Sequence, residues 1–349
     1  MHEGLSFRQN YGDTMHKSAP LDLGLSCAEH LARVPGALLD CVSDDLSLLL
    51  AYHGVRENEE PFSVDWRFDL REDPGGAPPR LRMPAADLEA RIAARTGLLL
   101  TWRAAADTDR DARDWAEQLE GGRPVLVVGD AYHLPWLPYH GNEHMDHGFV
   151  VDGVHGSLQH PRELVLDVID PYDNATRWGT SRPLSTTISL ADLAPALPGG
   201  RWGVLRNVPQ ADSHPSAEQL MADNLLGLRS AVGENAFKAF CAGLDDSNPD
   251  SWDHYTLQTW LLARSRALHL RWLTAHAHEL RDFSRNAVDL PVLFGENVAN
   301  PWKQAAQSCY LAARRSAAGK SAPPSARESL ERAAASEAEF VEFLGRHSQ

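Results

Sequence analysis

The chain has 349 residues, 43% of them hydrophobic, and a formal net charge of −15 at pH 7. This length and apolar content are enough for two globular domains, and they exclude a disordered or fibrous protein. The negative charge argues against nucleic-acid binding, because phosphate contacts require clustered lysine and arginine side chains. No stretch approaches the about 18 consecutive apolar residues of a membrane span. We therefore expect neither nucleic acid nor a membrane as a partner.

The four cysteines of the chain are too few for a disulfide scaffold at this length, and they show no C-x-x-C spacing. The first residues, MHEGLSFRQNYG, lack the basic segment and the apolar run of a signal peptide. Both features predict free thiols and a cytoplasmic protein.

The hydrophobic pattern changes near residue 212. Up to about residue 210 short apolar strands alternate with helices, whereas from about residue 215 the spacing is typical of helices alone. We therefore predict a catalytic domain over residues 1–211 and an all-helical domain over residues 212–349.

In chain order, the first predicted element is a helix over Val42–His53, which ends at Gly54 and places Cys41 at its N-terminus. Two apolar runs later in the domain, joined by the turn-like residues HGSLQHPR, predict a β-hairpin of residues 147–154 and 163–170. The other predicted helices are 87–95, 109–120, 217–230, 252–283 and 327–347, and the other predicted strands are 98–102, 124–128 and 202–208.

The position of Cys41 at a helix N-terminus is typical of a reactive thiol. A thiol attacks as the thiolate, and both a helix N-terminus and a nearby imidazolium stabilise that anion. The alternative is a buried structural cysteine packed beside Leu38 and Leu39.

The predicted hairpin brings an imidazole to a carboxylate. If Val154 pairs with Glu163, His147 lies directly opposite Asp170 at the open end of the hairpin. Phe149 and Val151 then share that face with His147, which makes it the core face. The opposite face, which carries Val150 and Asp152 on the first strand, is mixed enough to be the more solvated side.

Together, these residues predict a catalytic triad. Asp170 would fix the tautomer and the ring orientation of His147, and His147 would deprotonate Cys41 or hold it as an ion pair. The backbone N–H of Cys41 is the natural first donor of an oxyanion hole.

Three segments carry a resemblance to a known family: DCVSDDLSLLLAYHG around Cys41, DAYHLPWLPYHGNEHMDHGFVVDGV around His147, and VLDVIDPYD around Asp170. They resemble the N-terminal domain of the butirosin biosynthesis protein H family, a branch of the papain-like cysteine fold that is related to bacteriocin-leader peptidases. The resemblance covers about residues 36–175.

The resemblance implies an α+β, papain-like fold in which an N-terminal helix packs on an antiparallel sheet. It also implies an enzyme of antibiotic biosynthesis that moves an acyl group from the phosphopantetheine thioester of an acyl carrier protein, through a cysteine acyl-enzyme, to a small-molecule amine acceptor. Matched by position, Cys41 is the nucleophile, His147 the base and Asp170 the orienting acid. We expect no cofactor.

Two other classes of function stay open. A cysteine peptidase or thioesterase would use the same triad with water, whereas a non-catalytic binding module would need neither Cys41 nor His147. The hairpin register argues against the binding module, because that register brings His147 to Asp170.

The loop of residues 130–146, which precedes His147, is rich in histidine. His140 and His144 have a spacing that binds zinc on a helix, but the segment contains prolines and no HExxH motif. We therefore predict no metal site. The residues that we predict to bind substrate are Asp40, Tyr132, Tyr139 and His144. The Pro/Gly-rich loop 71–84 is a candidate flap over the site.

The helical domain carries tryptophan and arginine side chains at Trp260, Arg264, Arg271 and Trp272. Core tryptophans flanked by solvated arginines are the interpretation that we favour. The alternative is a docking face for an acidic carrier protein.

Overall fold

The computed structural model describes residues 21–71, 78–81, 88–208, 215–280 and 290–347. In these residues the strands all precede residue 208, and the part after residue 215 is helical, so the predicted α+β fold is confirmed. The predicted domain boundary at residues 211 and 212 lies outside the described residues, as do most residues of the candidate flap, 72–77 and 82–84.

The elements before residue 208 are short. A 3₁₀ helix, Cys27–Arg33, follows the first strand, and two further 3₁₀ turns, Ala131–His133 and Pro161–Glu163, lie between the later strands. The strands and α-helices are, in chain order, β1 (Leu21–Gly24), α1 (Cys41–Tyr52), α2 (Glu60–Ser63), β2 (Leu70–Arg71), β3 (Arg80–Leu81), α3 (Leu88–Thr96), β4 (Leu98–Ala104), α4 (Thr108–Glu120), β5 (Val125–Asp130), β6 (Asp146–Gly156), β7 (Val165–Asp170), β8 (Asn174–Thr176), β9 (Gly179–Ser181), β10 (Leu184–Ser189), α5 (Leu190–Leu193) and β11 (Arg201–Asn207).

The main sheet is antiparallel throughout. Its strand order is β10-β7-β6-β5-β11-β4, and β1 pairs with β6 beyond the end of β5. Both faces are buried: Val150 and Ile169 pack with the leucines of α1 on one face, and Phe149 and Val168 pack with α4 on the other. The prediction of a solvated face was therefore wrong, and Asp152 on that side is only 4% exposed. The helix α1 covers the face that the sequence pattern left open.

The β6–β7 hairpin forms, but in a different register from the predicted one. Val154 pairs with Leu166 rather than Glu163, because the 3₁₀ turn Pro161–Glu163 uses Glu163 in the connection. Near the turn, each residue of β6 therefore pairs with a residue three positions further along β7 than predicted. A bulge between Val151 and Gly153 reduces this shift of the pairing to two positions. An even shift keeps each side chain on its predicted face. His147 and Asp170 consequently share a face as diagonal neighbours and not as a directly opposed pair.

The helix α1 begins and ends where its sequence predicts. The side chain of Asp40 caps its N-terminus, and Gly54, with φ of +83°, follows its C-terminus in a conformation that favours glycine. Leu46, Leu48 and Leu49 are fully buried. A helix that is apolar around most of its circumference must be covered on several sides, and α1 lies between the sheet and the rest of the chain.

The part after residue 215 is an assembly of helices. Residues 281–283 of the predicted helix 252–283 lie outside the described residues, and its described part ends earlier, at Ala275. None of the described helices is long and apolar enough to cross a membrane. The helices are α6 (Ala217–Gly233), α7 (Ala236–Ala242), α8 (Pro249–Ala275), α9 (Leu290–Phe294), α10 (Asn300–Ala317) and α11 (Pro324–His347).

The helical part shares its core with a segment of the first part. Val64, Trp66 and Phe68, which follow α2, pack among the buried residues of the helices. The backbone N–H of Trp66 donates to Asn224 Oδ1 at 3.2 Å, and the Asn224 amide donates to Val64 O at 2.7 Å. This shared core holds α8 beside the N-terminus of α1.

Candidate active site

Cys41 is the first residue of α1. The carboxylate of Asp40 accepts hydrogen bonds from the Ser43 backbone N–H at 2.9 Å and from the Ser43 hydroxyl at 3.0 Å, which fixes the start of the helix. Because a helix leaves the N–H groups of its first turn without intrahelical partners, the N–H of Cys41 is available to an anion. The Cys41 side chain is half-buried.

A glycine lets α1 approach β6 at this point. A Cβ at Gly148 would overlap Asp45 Oδ2 and would lie 3.4 Å from Val42 Cα. Any larger residue at Gly148 would therefore push the first turns of the helix away from the strand. The close approach places Cys41 beside His147, the residue before Gly148.

His147 is fully buried and is held by a buried carboxylate. Its Nε2 lies 2.8 Å from Asp170 Oδ2, and the same oxygen accepts a hydrogen bond from Trp136 Nε1 at 2.8 Å. The backbone N–H of Tyr172 donates to Asp170 Oδ1 at 3.0 Å, and the Tyr172 ring packs edge-on against the imidazole. The imidazole is therefore fixed in orientation, with Nε2 directed at Asp170.

The other ring nitrogen, Nδ1, is not used by Asp170. Burial alone would lower the pKa of His147, but the charge of Asp170, the hydrogen bond with it and the interaction with Cys41 together raise that pKa. His147 Nδ1 has no hydrogen-bond partner among the described residues, so it is available to a reacting group at Cys41. The arrangement favours an imidazolium next to Cys41, and such a cation stabilises a thiolate.

Two further acids lie near the Cys41 thiol, in the first turns of α1. Asp44 and Asp45 are fully buried, and none of their carboxylate oxygens has a hydrogen-bond partner among the described residues. Burial, and then the negative charge of Asp40, raise the pKa of Asp44 to about 9. Burial and the charge of Asp170 raise the pKa of Asp45 well above its ordinary value. At neutral pH Asp44 is therefore an uncharged acid, and burial likewise favours the protonated form of Asp45.

An arginine of the helical part contacts the loop before Cys41. Arg264 of α8 donates to the carbonyl oxygen of Leu39, and its guanidinium lies 3.8 Å from the ring centroid of Trp260. It also contacts Asn174 Oδ1 at 3.5 Å. Arg264 thus ties α8 to the residues that immediately precede Cys41. It is half-buried, and so differs from the solvated arginine that we predicted.

The predicted substrate-binding residues lie in two places. Asp40 is exposed at the start of α1. Tyr132 stacks on His144 with 4.1 Å between ring centroids, near the end of β5. Tyr139 is only 8% exposed and packs in the core with Tyr172. Their role in binding substrate stays a prediction.

A different trio from the predicted zinc pair comes together. His140 and His144 do not form a metal-capable group in the described residues, whereas Asp130, His133 and His144 offer donor atoms within 4.8 Å of one another. Asp130 Oδ2 already lies 2.6 Å from His144 Nδ1, which accounts for part of this clustering without an ion. Glu57, Glu60 and His276 form a second such group.

Several residues of the site gave no signal in the sequence pattern. Trp136 and Arg264 act through contacts 34 and 225 residues away in the chain, and no local periodicity records such distances. Two consecutive aspartates, Asp44 and Asp45, on a short helix are more often solvated than buried. The strand β10 was also missed, although its residues, LSTTIS, have the β-branched composition of a strand.

Comparison with known proteins supports the resemblance. Residues 40–159, about a third of the chain, match the family described as butirosin biosynthesis protein H, N-terminal. This stretch includes Cys41 and His147 and ends before Asp170. No curated protein matches the chain. The family description is that of a biosynthetic protein, and the arrangement around Cys41 agrees with an enzyme of that kind.

Proposed function

We propose that this butirosin biosynthesis protein H-like chain is a cysteine acyltransferase, which takes an acyl group from the phosphopantetheine thioester of a carrier protein and passes it to an amine. The observation that carries the proposal is the position of Cys41, at a helix N-terminus beside a buried imidazole that Asp170 orients. A biosynthetic family supports synthesis of a bond over its hydrolysis.

In the first step, the Cys41 thiolate attacks the thioester carbonyl. The tetrahedral oxyanion lies near the N–H of Cys41, and the C–S bond to pantetheine then breaks. The pantetheine sulfur leaves as a thiolate and takes a proton from the His147 imidazolium. The products are an acyl-Cys41 thioester, a free pantetheine thiol and a neutral His147.

In the second step, the acceptor amine attacks the acyl-Cys41 carbonyl. His147 accepts the proton that the amine loses, and the Cys41 sulfur leaves as a thiolate, which restores the ion pair. Asp170 accepts the Nε2–H of the imidazole in both steps and so keeps Nδ1 directed at the reacting atoms. The net reaction forms an amide and releases a thiol.

A thioester is the better donor than a peptide amide for this site. A thiolate leaving group needs little protonation, whereas an amine requires complete proton transfer from His147. A cysteine peptidase or thioesterase would nonetheless share the first step. The two classes differ in whether an amine or water reaches the acyl-enzyme.

The test is intact-protein mass spectrometry after incubation with acyl-pantetheine thioesters. We expect the protein to gain the acyl mass, and we expect Cys41→Ala to abolish the gain while Cys241→Ala retains it. Primary amines should then discharge the adduct to an amide faster than buffer discharges it to the free acid. An adduct that decays at one rate with and without every amine offered would favour the hydrolase instead.

A further inference from the structure

A cleft lies beside the nucleophile, between α1 and the helical part. Its volume is about 340 Å³, which is at the lower end of the roughly 300–1,000 Å³ of small-molecule sites. One wall is formed by Leu38, Leu39, Asp40, Val42 and Ser43, the residues on either side of Cys41. The opposite wall is formed by α8, and residues from α2 to α3 together with Arg201 complete the lining.

Part of the apolar lining of this cleft belongs to no core. Leu38 and Leu261 are both half-buried, and neither packs in the hydrophobic clusters of the described residues. Trp260 lines the cleft beside Leu261. Apolar side chains that face a cavity instead of a core gain free energy when an apolar ligand covers them.

Most charged groups of the cleft have partners in the protein. Arg264 donates to Leu39 O and stacks on Trp260, and Asp40 accepts from Ser43. Arg266 forms a buried ion pair with Glu337, with 2.6 Å between Arg266 Nη2 and Glu337 Oε1. Another lining pair is formed by Asp65 and Arg91.

The other charged lining residues are Arg67, Asp69 and Arg201, and Arg201 stacks on Trp102. The apolar part of the lining is therefore the part that a carbon chain would cover.

The geometry of the reaction assigns an end of the substrate to this cleft. His147 must lie within hydrogen-bond reach of the departing pantetheine sulfur, and later of the attacking amine. Both of these groups therefore occupy the side of Cys41 that faces β6. The rest of the acyl group extends from the carbonyl in the other direction. Cys41, His147 and Asp170 do not line the cleft themselves, whereas both chain neighbours of Cys41, Asp40 and Val42, do.

From these observations we propose that the cleft between α1 and α8 binds the carbon chain of the acyl group, and that it selects uncharged, apolar chains of medium length. This inference rests on the proposed acyl-enzyme at Cys41. The chain would lie against Leu38 and Val42 on one side and against Leu261 on the other, with its carbonyl at Cys41.

The expected selectivity follows from the apolar area that each methylene covers. Burial of one methylene group contributes about 0.8 kcal/mol, which corresponds to roughly a fourfold rate increase where the transition state keeps that contact. Octanoyl-pantetheine should therefore acylate Cys41 much faster than acetyl-pantetheine. Succinyl-pantetheine, which carries a charge into the cleft, should acylate Cys41 more slowly than octanoyl-pantetheine.

The experiment compares two tryptophan substitutions on the same helix. Leu261→Trp fills the cleft, whereas Leu257→Trp places the same side chain at a position that is 54% exposed and outside the cleft. The rate of Cys41 acylation is measured with acetyl-, octanoyl- and succinyl-pantetheine for each protein. Leu38→Trp fills the cleft from the opposite wall and replaces Leu261→Trp if that variant does not fold.

We expect Leu261→Trp to lower the octanoyl rate at least about tenfold, since one ring displaces several methylene contacts, while the acetyl rate stays unchanged. Leu257→Trp should change neither rate. A wild-type rate that is independent of chain length, an equal loss with both chains in Leu261→Trp, or a preference for succinyl would each overturn the inference. Absence of a Cys41 adduct with every thioester would instead contradict the proposed function itself.

Discussion

Glu337 in the helical part and the pair Asp44–Asp45 beneath Cys41 are all fully buried acids, but their surroundings are opposite. The Glu337 carboxylate accepts hydrogen bonds from Trp66 Nε1 at 2.6 Å, from Trp302 Nε1 and from the guanidinium of Arg266. The oxygens of Asp44 and Asp45 have no such partner in the described part of the chain.

The buried carboxyl groups of this chain therefore have two different roles. A buried carboxylate with a cation and several donors stays charged and links the elements around it. A buried carboxyl group without partners keeps its proton, because the interior disfavours the anion. The first arrangement joins Trp66 to the helices, whereas the second favours protonated acids near the thiol that we propose as the nucleophile.

Asp170 extends this comparison, because three residues donate to its carboxylate, as three donate to that of Glu337, but it belongs to the proposed triad. Asp170→Asn should lower turnover by about 10⁴-fold, the size of the effect in the serine-protease template, since an amide can hold the wrong imidazole tautomer. Steady-state acyl transfer measures this loss. Asp167→Asn changes a partly exposed carboxylate on the same strand and should leave turnover nearly unchanged. Comparable activity of the two variants would show that another group orients His147.

Glu337→Ala tests the structural side of the comparison. Removal of the carboxylate leaves the Arg266 guanidinium buried without its counter-charge, so the free energy of unfolding should fall by about 3–5 kcal/mol. Urea denaturation measures this loss, and Glu339→Ala, at an exposed position on the same helix, is the control. Below the unfolding transition the variant should retain Cys41 acylation. A loss of less than about 1 kcal/mol would mean that the network contributes little to stability.

Asp44→Asn tests the uncharged acid. The folded protein keeps this proton up to about pH 9, whereas the unfolded chain loses it near pH 4. Between these limits the unfolded state binds fewer protons, so the free energy of unfolding should fall by as much as about 1.4 kcal/mol per pH unit as pH rises. Denaturation at pH 5, 6.5 and 8 should show a shallower slope for Asp44→Asn. The same slope in the wild type, in Asp44→Asn and in the exposed control Asp223→Asn would mean that Asp44 is ionised.

The smallest expected effect is that of metal removal. Asp130, His133 and His144 lie close enough to hold an ion, but the triad has no step that requires one. A chelator should therefore leave the rate of Cys41 acylation unchanged. Loss of activity that zinc restores would assign a functional ion to this trio.

The sequence predicted the features of the site that depend on local pattern. A capping aspartate and a terminating glycine defined α1 and so placed Cys41 at its start. The alternation of β6 placed His147 on the same face as Asp170. The sequence pattern did not predict the bulge at Asp152, because a bulge depends on packing between strands. Here Gly153 lies in close contact with Asp167.

The remaining parts of the site come from tertiary contacts. The cleft beside Cys41 needs α8 to lie against the loop at Leu39, and the sequence pattern of α8 showed only a long helix with tryptophans and arginines. The raised pKa values of Asp44 and Asp45 likewise depend on burial by elements far away in the chain. Helix periodicity records neither of these contacts.

The reactivity of the Cys41 thiol is the most direct test of whether His147 activates Cys41. Cys27, Cys241 and Cys309 are buried, and desolvation raises the pKa of each thiol, to about 12 for Cys241 and Cys309. Iodoacetamide labelling at pH 6, followed by peptide mass spectrometry, should modify Cys41 well ahead of the other three.

The variant His147→Ala shows whether the reactivity of Cys41 comes from activation by His147 or from the exposure of the thiol. His147→Ala should slow labelling of Cys41 at least about tenfold at pH 6, because the imidazolium that stabilises the thiolate is lost while the thiol becomes no less accessible. Equal labelling of all four cysteines in the wild type, or unchanged labelling of Cys41 in His147→Ala, would contradict the claim that His147 activates Cys41.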